Sequence, residues 1–130
     1  LEPKAWWPDG PRIWLGGQSV HPRLLRRIVR YAHGFHPLGQ PSEEDMATLR
    51  AGLAEAGRDL SELELVGGMR AVFPDDDSPS PLEPALASLP AQVARGFTTF
   101  CIKPSQFVDD LALYPAWCRE VVERVGEVAA

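Results

Sequence analysis

Two glycines, a glutamine and a serine stand in a row at residues 16–19, directly after the apolar run Ile13-Trp14-Leu15 and just before a helical pattern. That sequence of residue types suits an anion. A glycine has no Cβ, so a phosphate can approach the backbone closely. The first turn of the following helix adds N–H groups at the positive end of its dipole. Leu15, Gly16, Gly17, Gln18 and Ser19 are therefore the candidate phosphate cradle. The plain alternative is a strand-to-helix turn that merely needs a positive φ.

His36, Arg70 and Lys103 each follow an apolar or β-branched run and are the candidate substrate or pocket residues. A histidine titrates near neutrality, so His36 suits acid–base work or a hydrogen bond to a ring; its ordinary role is a satisfied structural residue. Lys103 offers a cation to a phosphate or an anionic substrate, or else snorkels along an apolar stem. Arg70 either lines the pocket or sits in a structural ion pair. His21 falls near a helix start, and His33 falls in a turn.

Other suggestive residues carry less. Asp75, Asp76 and Asp77 lack the ligand spacing of a calcium loop and read as a solvated turn. Asp109 and Asp110 read as complements to a helix dipole. Cys101 is expected to be buried mid-strand and inert, and Cys118 to lie on an apolar helical face. Neither has a partner at metal-ligand spacing, so no metal site is expected. No nucleophile elbow surrounds Ser19. Trp6, Trp7 and Trp14 read as core or interface aromatics.

Four strand-then-helix units position these residues. Residues 1–11, rich in proline and glycine, read as an entry loop. A strand at residues 12–15 ends in Gly16-Gly17, and a helix follows at 22–31 with Leu24, Leu25, Ile28 and Val29 on one face. Residues 32–38 give a second strand. Ser42 is a plausible N-cap for a helix that Gly57 stops. Residues 63–73 form a third strand region, whose Gly67-Gly68 pair suggests a bulge or a close approach by a backbone or ligand. A proline-interrupted helix runs from 82 to 95 and is closed by Gly96. Residues 97–103 are the clearest strand. A long helix over 106–125, kinked or divided at Pro115, shows Leu111, Tyr114, Cys118, Val121 and Val125 on one side.

Such alternation predicts parallel strands joined by crossover helices. Two architectures fit: a small open doubly wound sheet, or half of an eight-stranded barrel. The 130 residues carry 13 Lys and Arg against 18 Asp and Glu, a net charge of −5, which argues against a nucleic-acid partner. Hydrophobic residues at 45% favour a packed core over disorder. No apolar run has the length of a membrane span, two cysteines make no disulfide scaffold, and no secretory signal is read. A cytoplasmic location is the expectation.

Several segments carry a more specific likeness. GPRIWLGGQS, an arginine-rich helix, HGFHPL, GRDLSELELVGG and RGFTTFCIKPSQ together resemble the C-terminal half of the luciferase-like monooxygenase family, over about residues 3–125. Within it, the likeness is to the oxidoreductases that use the deazaflavin coenzyme F420. The resemblance implies an α/β fold, the C-terminal half of a TIM (β/α)8 barrel, with strands five to eight in this single partial domain. It implies F420 or FMN as cofactor and a small-molecule substrate. It implies hydride transfer or monooxygenation, with the cofactor phosphate held at Gly16 and Gly17. The family usually carries Asp-Gly-Trp or Asp-Gly-Phe at the sixth strand, where this chain has His33-Gly34-Phe35. Its catalytic histidine and carboxylate lie in the N-terminal half, so catalytic residues are expected outside this chain.

Half a barrel exposes two sheet edges and an apolar inner face. With inward side chains such as Trp14, Val66 and Phe100 in water, at about 25 cal/mol per Å² of apolar surface, the cost reaches several kcal/mol. That is comparable to the whole stability of a small domain, about 5–15 kcal/mol. A second copy or an N-terminal half-barrel is therefore the expected partner. A non-catalytic flavin-binding or assembly half-barrel that dimerises is the alternative reading.

Overall fold

The computed structural model describes residues 10–129. Most of the entry loop expected at 1–11, with Trp6 and Trp7, lies outside the described residues. The protein is α/β, with four strands: β1 (Trp14–Gly17), β2 (Gly34–Pro37), β3 (Glu64–Met69) and β4 (Thr99–Ile102). They form one parallel sheet in the order β1-β2-β3-β4, with no reversal of chain order. The register of β1 on β2 runs from Trp14 opposite Gly34 to Gly17 opposite Pro37. β2 pairs with β3 at Gly34–Glu64 and Phe35–Leu65. The chain divides into two compact units after Val66.

In the first unit, α1 (Pro22–Tyr31) begins where expected. Proline is tolerated there because a first-turn N–H has no intrahelical acceptor anyway. Leu24 and Ile28 are buried, while Arg23, Arg26, Arg27 and Arg30 face water. Helix α2 (Glu43–Glu55) is capped by Ser42, whose hydroxyl accepts the Asp45 N–H while Asp45 reaches back to the Ser42 N–H. Gly57 takes φ 70° and ends the helix, with the Arg58 N–H returning to the Leu53 carbonyl. Met46, Leu49 and Leu53 are fully buried, together with Phe35, Leu65 and Val66.

Arg58 ties the unit together. Its guanidinium donates to the carbonyls of Ile28 (3.3 Å), Val29 (2.9 Å) and Ala32 (3.1 Å). These belong to the C-terminal turn and cap of α1, where the dipole favours a cation; the Ile28 carbonyl also accepts the Ala32 N–H, and the last carbonyls run out of intrahelical donors. Glu62 stands 3.5 Å from the same side chain.

In the second unit, α3 (Glu83–Ala87) and α4 (Leu89–Ala94) are separate short helices divided at Ser88. The break follows from Pro90, which lacks an N–H and sits in the first turn of α4. Gly96 closes α4 with φ 95°. Helix α5 (Tyr114–Ala129) is shorter than the helix expected over 106–125. Pro115 does not kink it; proline falls in its opening turn, and single 3₁₀ turns at Pro104–Gln106 and Leu111–Leu113 precede it. The core gathers Met69, Leu82, Ala85, Leu86, Leu89, Phe107, Val108 and Val121, with Phe100, Tyr114, Trp117 and Val125 packed against it. Phe107 and Trp117 stack with ring centroids 5.7 Å apart.

Several expectations are corrected. Cys101 is exposed rather than buried, and Cys118 and Leu111 are exposed rather than on the packed side of the last helix. Successive residues of a strand face opposite sides, and in β4 Cys101 is exposed while Phe100 and Ile102 are half-buried; the three residues before α5 form a separate turn, in which Leu111 is exposed. Val66 is fully buried and Phe100 half-buried, whereas Trp14 is 46% exposed. Only Trp14 of that trio meets water as expected of an open inner face.

Candidate functional site: two basic concavities at strand ends

Gly16 and Gly17 are the last two residues of β1, not a turn after it. Among the described glycines only Gly10, Gly57 and Gly96 take positive φ, so a left-handed turn is not why residues 16 and 17 are glycine. Space is the reason. A Cβ on Gly16 would sit 3.1 Å from the His36 carbonyl oxygen, and one on Gly17 would sit 2.5 Å from a Leu24 methyl. β1 can lie this close to β2 and α1 only without those side chains.

A concavity of about 480 Å³ opens at this point, lined by Gly16, Gly17, Gln18, Ser19, His21, Leu24, Arg27 and Leu38. Four of the five cradle candidates thus line one hollow; Leu15 is in β1 but not in the lining. His21 and Arg27 were not among the sequence candidates. His21 is the N-cap of α1, its Nδ1 accepting the Leu24 N–H at 3.3 Å. A ring nitrogen that accepts is unprotonated, so the neutral ring carries its hydrogen on Nε2. Pro22 has no N–H and Leu24 donates to His21. This leaves the Arg23 amide as the first-turn donor without an acceptor among the described residues. The helix end therefore offers one amide, not three, and the remaining positive character comes from Arg27.

The loop beneath is fixed by α2. The Val20 N–H donates to Asp45 Oδ1 at 2.6 Å, and Asp45 Oδ2 accepts from the Ser42 hydroxyl at 2.9 Å. These donors hold the Asp45 carboxyl below its ordinary value, the Val20 amide contributing most and the Ser42 hydroxyl next.

His36 is half-buried in β2, opposite Gly16 in register, and lines neither concavity described here. His33, read as a turn residue, accepts the Ile13 N–H on Nδ1 at 3.1 Å.

The structure brings Arg70 and Lys103 together. A second concavity, about 430 Å³ and wholly within the second unit, is lined by Met69, Arg70, Ala71, Cys101, Ile102, Lys103 and Gln106. Arg70 is the first residue past β3 and Lys103 the first past β4. Both are exposed, and no ion pair engages either among the described residues; exposure sets Arg70 apart from the buried ion pair expected as its alternative role.

Asp75 holds an exposed turn, accepting the N–H groups of Asp77 and Ser78, and no metal-binding cluster exists among the described residues. No helix among them is long and apolar enough to cross a membrane. Comparison of the chain with family models, with curated proteins and with solved structures finds no match.

Proposed function

We propose that the chain is the C-terminal part of a luciferase-like oxidoreductase that uses F420, or FMN, for hydride transfer or monooxygenation. The observation that carries the reading is the glycine-walled, basic concavity at the carboxyl end of β1, in a parallel sheet whose strands follow chain order. A doubly wound sheet reverses its strand order at a switch point, whereas consecutive barrel strands do not. Ligands of both architectures gather at carboxyl strand ends. The fit to a phosphate rests on the Arg27 cation, the Arg23 amide, the His21 Nε2–H and the polar Gln18 and Ser19 beside an open backbone. Arg70 and Lys103, in the second unit, form part of the substrate wall. When bound, the flavin or deazaflavin supplies the hydride chemistry, and this chain's residues bind and orient it.

Titration of the chain with F420 and with FMN, followed by fluorescence, tests the reading. Saturable binding of one of them is expected, weakened about tenfold or more by Arg27→Ala. Absence of saturable binding of either by the folded chain overturns it.

One observation favours the non-catalytic assembly reading. Ile13 (42% exposed) and Trp14 (46% exposed) lie at and beside β1, the edge strand among the described residues, where the apolar surface invites a second copy. In this reading a second copy, or a separate half-barrel, covers them. Flavin binding without turnover, together with a dimer in sedimentation, would support it.

A further inference from the structure

We propose that the concavity between the ends of β3 and β4 is a binding site for a compact anion of the carboxylate or phosphate class, held by Arg70 and Lys103. As a statement about the substrate it rests on the oxidoreductase reading; as a statement about anion binding it does not.

The argument begins with position. β3 and β4 are neighbours in the sheet, and each ends one residue before a cation, β3 at Met69 and β4 at Ile102. Two adjacent parallel strands thus deliver Arg70 and Lys103 to the same rim, and both line the same hollow. Charge is the second step. Of the seven lining residues none is acidic, and neither cation has an ion-pair partner among the described residues. This is notable in a unit that is otherwise acidic, with Asp75, Asp76, Asp77, Asp109 and Asp110 on its loops. Two like charges facing one concavity repel each other, and an anion between them relieves that repulsion. Donor chemistry is the third step. Arg70 presents a planar fork suited to two oxygens of one carboxylate or phosphate, and Lys103 a point charge for the remaining oxygen. Gln106 adds an amide that donates or accepts. Met69, Ala71 and Ile102 give the hollow an apolar wall, which accommodates a short carbon chain attached to the anionic head.

Cys101 supplies the readout, because it lines this concavity and is exposed, whereas Cys118 is exposed and lies outside it. The full chain is alkylated with iodoacetamide, a neutral reagent, in the presence of inorganic phosphate or of succinate. Labelling of the two cysteines is followed separately by mass spectrometry. Saturable slowing at Cys101, at least fivefold, with Cys118 unchanged, is the expected result. Arg70→Gln and Lys103→Gln should each abolish it; both residues are exposed, and circular dichroism checks that the variants fold. Arg27→Ala, in the other unit, should leave the protection intact. Protection by phosphate alone assigns a phosphoryl ligand, and protection by succinate alone a carboxylate; either supports the site. Equal labelling of Cys101 with and without both anions overturns it, as does protection that survives both charge-removing variants. F420 and FMN titrations are read independently, so failure of the cofactor reading leaves this result interpretable.

Discussion

The side-chain amide of Gln92 engages both backbone groups of Gly68, donating to its carbonyl at 3.1 Å and accepting from its N–H at 3.2 Å. Gln92 is 5% exposed, so these bonds are made out of water. Gly67 is glycine because Gln92 and Phe100 occupy the space where its Cβ would stand, whereas nothing lies within 4 Å of a Cβ on Gly68. Adjacent glycines thus have opposite tolerances. Gly67→Ala should destabilise the protein by about 1–3 kcal/mol through overpacking. Gly68→Ala should lie within about 0.5 kcal/mol of the parent, as a substitution without a clash. Urea denaturation of the two variants measures the difference, and equal midpoints would contradict this packing.

Removing the amide itself is a separate test. Gln92→Ala leaves the half-buried Gly68 N–H and carbonyl without their partner and removes a buried side chain, at about 1 kcal/mol or more for each lost bond. A loss of at least 2 kcal/mol in the same denaturation experiment is expected. Gln92→Glu keeps an acceptor for the N–H but turns an anion toward the carbonyl, and should do no better than alanine.

Arg58 binds three carbonyls at the end of α1. Arg58→Ala should cost about 2 kcal/mol, the range of hydrogen bonds to charged groups. Arg58→Lys should recover only part of it, since one ammonium cannot reproduce the fork that meets Val29 and Ala32 together. Hydrogen exchange of the α1 amides gives the local readout: faster exchange in the alanine variant, intermediate in the lysine variant.

Asp45 makes stability depend on pH in a defined direction. Its carboxyl is held below the ordinary value of 3.8, so the folded state binds the proton less readily than the unfolded chain. The contribution is therefore fully present above pH 4 and is lost as the pH falls through the lowered folded value. Asp45→Asn should flatten the acid limb of the stability profile below pH 4, with a cost near neutrality of about 1 kcal/mol for the weakened cap. An unchanged acid limb in urea midpoints from pH 2 to 7 would contradict the Val20–Asp45 contact.

Much of the scaffold is legible in the residues. Ser42 caps its helix, Gly57 and Gly96 stop theirs, and the apolar spacing of Leu24 and Ile28 places α1, because these signals are local and act on the backbone within a turn. Four parallel strands also follow from the alternation of patterns, but their order in the sheet does not, because a doubly wound sheet shows the same alternation. The last helix departs from the expectation because proline has two meanings, a break in mid-helix and a favourable start, and only the preceding residues 107–113 decide between them. Gly67-Gly68 signalled a close approach, but the approaching group is the side chain of Gln92, a polar residue three positions after the buried Leu89. Of the pocket residues, Arg70 and Lys103 were readable from strand ends. Arg27 was not, since on a helical face of four arginines nothing local distinguishes the one that borders a hollow.

Helix α1 is secured at both extremities, by the His21 ring at its head and the Arg58 fork at its tail. The His21 bond is local, closing the helix's own first turn, whereas the Arg58 bonds reach α1 from beyond α2, so sliding or rolling of the helix would break three bonds at its tail. Adjustment beside Gly16–Ser19 then falls first to the rotamers of Gln18 and Arg27, which line the hollow. For the ligand proposed at this hollow, fit would then be tuned at the fingertips of two side chains more than along the axis of the helix.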